Sequence, residues 1–317
     1  MKDWKVIIST KSGGGKAKVM WPRIAQALRD KGISFKEAFT EHQFHASELA
    51  IEAISEGYRK ILAVGGDGAI HEILNGVMSQ SLVPTEDITL GIIPVGSGND
   101  WSRLYDIPKD YEEAVTVIAN NHVVKQDVVC VDSINDDQPY RRYMMNIGGL
   151  GFDAQVCYLF ELEKLKGKSG DAQYLKCLLK GFMGYRCPHF KIYVDGEFFF
   201  EGPALSVAIG NGKYCGGGLR QTPDAVPDDG LIDLTVIRRV PKARIILSVR
   251  RLLDGSIKKM KPVSCARAEK IQIYSSPATF MEVDGEAVGC TPVTITIQPS
   301  AINVITNLKD RHELHKN

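Results

Sequence analysis

The residues of this chain best suited to chemistry lie in two glycine-rich loops and two acidic loops. Gly65-Gly66-Asp67-Gly68 follows a short apolar run and precedes a helical pattern. Glycines let a backbone turn sharply and bring its N–H groups up to phosphate oxygens. A helix starting there adds the positive end of its dipole. A carboxylate is out of place beside phosphate unless it works with a cation such as Mg2+, and that role suits Asp67. Taken alone, these residues equally describe a tight turn with Asp67 as a helix cap. They are not alone, because Gly96-Ser97-Gly98-Asn99-Asp100 has the same setting. Two such strand-to-helix turns in one small sheet can face a shared crevice at the carboxyl ends of its strands.

Other stretches are weaker. Ser12-Gly13-Gly14-Gly15-Lys16 imitates a P-loop, but Ala17 stands where Ser or Thr is required and Thr10 where the first glycine belongs. Gly148-Gly149-Leu150-Gly151 lies in the wrong part of the chain for a dinucleotide fingerprint. Asp228, Asp229 and Asp233 surround Gly230 and could form a hard-cation loop, although composition alone favours a solvated turn. Asp284 and Glu286 would share a face of a strand, and a carboxylate pair raises the pKa of one member, as a general base needs. The intervening Gly285 points instead to a hairpin turn with solvated carboxylates, which is the better reading of the residues alone. His71 can cap a helix, meet phosphate or sit idle, and the other six histidines show no ligand spacing.

The elements that must position these groups fall into two patterns. Up to about residue 125, apolar runs at 4–9, 33–38, 61–64 and 89–93 alternate with helical signals from Met20 to Leu28 and at 46–56, 70–78 and 111–119. Continuous apolar strands between helices predict a parallel sheet covered on both faces. Beyond it, strand-like runs at 123–131, 143–147, 190–194, 198–209, 231–237, 271–274, 279–283 and 293–297 adjoin turn residues. Helical stretches interrupt them at 154–165, 172–183 and 242–253. This predicts an α/β domain over 1–126, a mainly β sandwich or distorted barrel over 127–309, and a polar tail over 310–317. Leu175, Leu178, Leu179, Phe182 and Met183 share a helical stripe that favours core packing over a lipid groove. That stripe and Phe198-Phe199-Phe200 are the named candidates for holding an acyl chain.

Composition narrows the classes. Lys and Arg number 39 against 38 Asp and Glu, so nothing argues for wrapping nucleic acid. Seven cysteines, an odd number without a Cys-x-x-Cys pair, read as reduced cytosolic thiols. The first ten residues have no signal-peptide pattern, and no apolar stretch approaches the ~20 residues that span a bilayer. The expectation is a cytoplasmic protein that visits the membrane surface if its substrate is a lipid.

The sequence from Gly65 to Gly76, Gly-Gly-Asp-Gly-Ala-Ile-His-Glu-Ile-Leu-Asn-Gly, resembles the nucleotide-loop signature of the diacylglycerol kinase catalytic domain family. That family includes bacterial soluble lipid kinases, sphingosine kinases and ceramide kinases. Gly91–Asp100 is similar to its second loop, Asn146–Asp153 to the start of its second domain, and Pro223–Asp233 and Val283–Glu286 to later motifs. In order, the matches run from about residue 5 to 305.

The resemblance implies an α/β nucleotide domain and a β-sandwich, with the active site in the cleft between them. It implies that Thr40, Gly65, Gly66, Asp67, Gly68, Ala69, Ser97 and Asn99 line an ATP site and that Asp67 connects to the nucleotide's Mg2+. It implies Glu286 as general base, and a second Mg2+ held by the Asp229 carboxylate and the carbonyls of Val226 and Leu231. The chain departs from the commonest bacterial pattern at Ala69, where a Thr hydroxyl is lost, and at His71, where that pattern has Asn. Ser9-Thr10 replaces an Asn-Pro pair. His71-Glu72 is closer to sphingosine-kinase-like members.

The expected activity is transfer of the γ-phosphate of ATP, with Mg2+, to a diacylglycerol-like or sphingoid-like hydroxyl. An NAD kinase-like enzyme and a non-catalytic nucleotide- or lipid-binding regulator are the alternatives. A homodimer is compatible with the sequence, and the acceptor lipid is not legible in it.

Overall fold

The computed structural model describes residues 3–166, 171–241, 248, 250–309 and 313. The chain divides into two compact units, Met1–Val128 with Pro299–Asn317, and Val129–Gln298.

In the first unit, strands and helices alternate: β1 (Trp4–Ile8), α1 (Lys16–Asp30), β2 (Phe35–Phe39), α2 (His45–Ser55), β3 (Lys60–Gly65), α3 (Asp67–Ser79), β4 (Thr89–Pro94), α4 (Asp100–Leu104) and α5 (Tyr111–Asn120). The strands are parallel in the order β4-β3-β1-β2. β1 and β4 are buried at every position, as strands covered on both faces must be, and edge strand β2 is partly exposed. On α1 the buried positions Ala17, Trp21, Ile24, Ala25 and Leu28 recur at the spacing of one helix face. The sheet gains its last strand from far along the chain, where Asn303 and Val304 pair in parallel with Thr89 and Leu90.

The second unit holds β5 (Val123–Asn135), β6 (Gln138–Met144), β7 (Ile147–Gly151), α6 (Phe152–Leu165), α7 (Asp171–Gly184), β8 (His189–Val194), β9 (Glu197–Gly210), the short pair β10 (Tyr214–Cys215) and β11 (Leu219–Arg220), β12 (Ile232–Arg238), β13 (Val263–Ala268), β14 (Lys270–Ser276), β15 (Phe280–Val283) and β16 (Glu286–Ile305). The division between the units falls inside β5 and β16. Two long strands change partners along their length: β9 pairs β8 with its first half and β7 with its second, while β16 pairs β15 and then β14. With β15 on β7 and β14 on β8, the ladder closes on itself. Phe190, Ile192, Val207, Ile209, Ile271, Met281 and Ile295 fill its interior.

Four expectations are corrected. The span 127–309 is too long at its end, because residues from Pro299 onward belong to the first unit; an apolar strand does not reveal which partner it will pair with. The run at 143–147 is not one strand but the break between β6 and β7. α3 begins at Asp67 rather than at residue 70, despite the poor helix propensity of Gly68. The apolar stripe on α7 is not core: Leu175 and Leu179 are 53% and 56% exposed. The side chains of Phe182 and Met183 lie outside the described set, as does most of the helix expected at 242–253.

Candidate active site

In the first unit, the loops that leave β1, β3 and β4 meet at the carboxyl ends of those strands. Thr40, which follows β2, joins them: its hydroxyl accepts the Thr10 N–H at 3.0 Å, and its carbonyl accepts the Thr10 hydroxyl at 2.7 Å. The Ser12 hydroxyl donates to Ser9 at 2.8 Å and accepts the Gly66 N–H at 3.4 Å. The Val95 N–H donates to the Gly65 carbonyl at 2.7 Å. Gly66 and Gly96 are packed backbone to backbone: a Cβ on Gly96 would stand 2.7 Å from the Gly66 Cα. No other residue type allows that approach.

Asp67 is not a cap of its own helix. Gly66 holds the N-cap position of α3. The Asp67 carboxylate reaches across to the second loop, where Oδ2 accepts the Asp100 N–H and Oδ1 the Trp101 N–H, each at 3.1 Å. It therefore caps α4 and ties the two glycine-rich loops together. From below, Gln126 accepts hydrogen bonds from the Trp101 indole at 3.1 Å and the Tyr105 hydroxyl at 2.7 Å, which fixes α4. Thr40, Gly65, Gly66, Gly68, Ala69, Ser97 and Asn99 thus lie in one group of loops, with Gly68 and Ser97 exposed and Ala69 buried.

Phosphate and nucleotide groups fit this part of the molecule. A side chain on Gly14 would meet nothing within 4 Å, so its backbone opens to space. Asn99 is buried and its Oδ1 has no donor, an acceptor left for a ligand. His71 is buried on α3 against Asn75, so it does not serve this group of loops. Ser9, Thr10 and Ser12 are not among the residues implied for the site, yet they carry the bonds that hold the first loop.

In the second unit, Asp284 and Gly285 form the two-residue turn between β15 and β16, both with positive φ, 48° and 88°. The Asp284 and Glu286 carboxylates therefore do not share a strand face. Asp284 is not solvated either. Its Oδ2 accepts the Met145 N–H at 3.0 Å, and its Oδ1 accepts those of Asn146 and Ile147 at 3.0 and 3.1 Å. This clamp fixes the turn and, with it, the half-buried Glu286 at the first position of β16, opposite Val283. Two acids outside the implied site residues are perturbed. Glu282 is 7% exposed, and burial pushes its carboxyl well above the usual range. Burial also raises Asp153, which accepts the Ser206 hydroxyl. The only sequence signal was Glu282's place between Met281 and Val283 in an apolar run.

The residues implied for a second Mg2+ do not fit one as they stand. Oδ1 of Asp229 accepts the Leu231 N–H at 3.1 Å, and Oδ2 is taken by the Arg267 guanidinium. Arg267 also meets Asp233 at 3.2 Å from the opposite position on β13. A divalent ion would have to share its one expected carboxylate with a fixed positive charge, while Val226 and Leu231 offer only carbonyls.

His42, His45 and Glu48 correct another reading. Their ligand atoms lie within 4.8 Å of one another, and the two rings stack at 4.3 Å. Phe44, at a positive φ of 64°, breaks the helical count that would have shown the spacing. All seven cysteines are free. Among the described residues no helix is long and apolar enough to cross a membrane.

Residues 3–131 match the diacylglycerol kinase catalytic domain, and residues 147–306 match the YegS C-terminal NAD kinase beta sandwich-like domain. The chain is 28% identical over 308 residues to a diacylglycerol kinase of Staphylococcus saprophyticus, covering 96% of this chain and 95% of that one. Among solved structures, a diacylglycerol kinase from Bacillus anthracis shares the fold with a TM-score of 0.72 at 22% identity, over 96% of this chain and 97% of that one. An NAD kinase from Archaeoglobus fulgidus in complex with ATP is more distant in fold, with a TM-score of 0.52 at 15% identity, over 98% of this chain and 96% of that one.

Proposed function

The chain belongs to the diacylglycerol kinase catalytic domain family, with a YegS-type C-terminal domain, and on that premise we propose that it is a kinase transferring the γ-phosphate of ATP to a lipid hydroxyl. The observation that carries this reading is the Asp67 carboxylate bonded across the two glycine-rich loops. A phosphate-binding group of loops with a carboxylate fixed at its centre suits a nucleotide that arrives with a cation.

ATP with Mg2+ supplies the phosphoryl group and offsets its charge. The chain's residues position and deprotonate. Thr40, Gly65, Gly66, Gly68, Ala69, Ser97 and Asn99 line the nucleotide, and Asp67 holds the cation that accompanies it. Glu286 takes the proton of the acceptor hydroxyl as its oxygen bonds to the γ-phosphorus and the bond to the bridging oxygen breaks, releasing ADP. The Asp284 clamp keeps Glu286 in place without sharing its role. No second metal is assigned to Asp229.

A lipid acceptor requires contact with a membrane surface. α7 supports this with exposed Leu175 and Leu179 beside exposed Lys176 and Lys180, an apolar patch flanked by positive charge. Its Gly181 packs near Val156 and Leu159 of α6, which leaves the leucines outward.

The test is transfer of label from γ-³²P-ATP with Mg2+ to diacylglycerol, monoacylglycerol, a sphingoid base and phosphatidylglycerol in mixed micelles, with NAD as control. Labelled lipid is the expected result. Labelled NADP alone would overturn the reading, and ATP binding without any transfer would leave a binding protein in its place.

A further inference from the structure

Lys213 is 3% exposed, among the most buried charged residues of the chain. Its ammonium has no hydrogen-bond or ion-pair partner among the described residues. Burying a charge without compensation is expensive, and proteins normally pair it or neutralise it. The acids in the neighbourhood are already committed. Asp224 is held by Lys258 at 2.6 Å, and Asp229 and Asp233 are held by Arg267. Burial first, and then the nearby Arg220 charge, push the Lys213 pKa down against the weaker attraction of Asp224 and Asp233. Arg220 itself has no acidic partner among the described residues, and its guanidinium lies 5.1 Å from the centroid of the Tyr214 ring.

The loop holding these two cations is built into the Asp284 turn. The Asn146 carbonyl accepts the N–H groups of Asn211 and Gly212, each at 2.8 Å, and its Nδ2 donates to the Tyr214 carbonyl at 2.8 Å. The Asn146 N–H is one of the three that clamp Asp284. Asn146 is itself buried, and its Oδ1 has no donor. One connected cluster therefore contains two cations without an ion pair among the described residues and, on Asn146, an acceptor without a donor, on the same clamp that fixes Glu286. A ligand with a phosphate and a hydroxyl supplies both.

We propose that Lys213 and Arg220 form an anion site that takes the phosphate of a hydroxyl-bearing phospholipid acceptor, with Asn146 Oδ1 receiving a hydrogen bond from that lipid. The acceptor role rests on the kinase reading, but the anion site does not. A neutral diacylglycerol would leave both cations unmatched.

The test begins with ligand-free protein. Lys213→Met removes a charge from a buried side chain at nearly constant volume, so its Tm should hold or rise, by ~2–4 °C for each kcal/mol recovered in a unit of this size. A fall in Tm would overturn the proposal, since it would mean that Lys213 holds the fold rather than a ligand. Thermal shifts are then read without nucleotide for inorganic phosphate, dihexanoyl phosphatidylglycerol below its micelle concentration, and dihexanoylglycerol. Wild type should respond to the first two and not to the neutral lipid. Lys213→Met should lose at least tenfold in apparent affinity for both. Responses unchanged in Lys213→Met would overturn the site. A response to inorganic phosphate alone would overturn the lipid assignment. Phospholipid binding through Lys213 in a protein that labels no lipid would break the kinase reading and leave the anion site standing.

Discussion

The two units hold their carboxylates in opposite ways. In the first, Asp67 is gripped by two amide N–H groups at the start of α4, in a setting made of glycines, hydroxyls and helix ends. In the second, the acids of the motif loops are consumed by structure: Asp284 by three amides, Asp229 and Asp233 by one guanidinium. In the proposed reaction, what remains for chemistry there is Glu286, which the Asp284 clamp holds in place. Acidic residues gathered in a motif are therefore a poor guide to which of them reacts.

The sharpest way to break this comparison is Glu286→Gln. If Asp284 positions and Glu286 reacts, the variant should fold normally, bind ATP, and lose ~10²–10⁴-fold in transfer rate, the usual weight of a general base. Turnover near wild type, measured by label transfer at saturating lipid, would move the base elsewhere. Asp284→Ala should act on stability first. It strands three backbone N–H groups at the β6–β7 break, and about 3 kcal/mol of unfolding free energy should be lost in urea titration. Full stability with normal activity would show that the clamp is dispensable.

Glu282 sharpens the comparison through pH. Its folded pKa is raised, by burial first, so its favourable contribution is complete below the ordinary carboxyl range and is lost as pH rises through the folded value. Wild type should lose stability as pH climbs from about 4.5, by about 1.4 kcal/mol for each unit by which the pKa is raised. Glu282→Gln, which keeps an acceptor for the Gly285 N–H, should flatten that slope. Parallel profiles for the two proteins would mean that Glu282 is ionised in the folded state.

How much of this was legible follows from how far apart the partners lie in sequence. The parallel strands read clearly because β1, β3 and β4 are apolar throughout, and the glycine loops read clearly because each motif is contiguous. The turn at Asp284-Gly285 was visible as a turn, but its 139-residue reach to Met145 was not. The same gap hid the junction at Met145 and Asn146, where an apolar stretch read as one strand. Arg267 lies 38 residues from Asp229, and no local pattern marks it as that carboxylate's partner. Lys213 in a Gly-Lys-Tyr stretch looks like any surface lysine until its burial is measured.

Arg267→Ala carries the smallest expected effect and bears on the metal directly. Arg267 is partly exposed, so the loss of its pairs should cost only about 1 kcal/mol. The informative readout is cation dependence. With the guanidinium in place, Asp229 and Asp233 already have their counter-charge, so Mg2+ titrated into nucleotide-free wild type should not change Tm beyond an ionic-strength control. With it removed, two neighbouring carboxylates are left to attract a hard cation, and Mg2+ should restore much of the lost stability. Saturable stabilisation of wild type by Mg2+, abolished by Asp229→Asn and kept in Asp67→Asn, would mean that the ion displaces Arg267. The second unit would then hold its acids as the first holds Asp67, ready for a cation rather than spent on a neighbour.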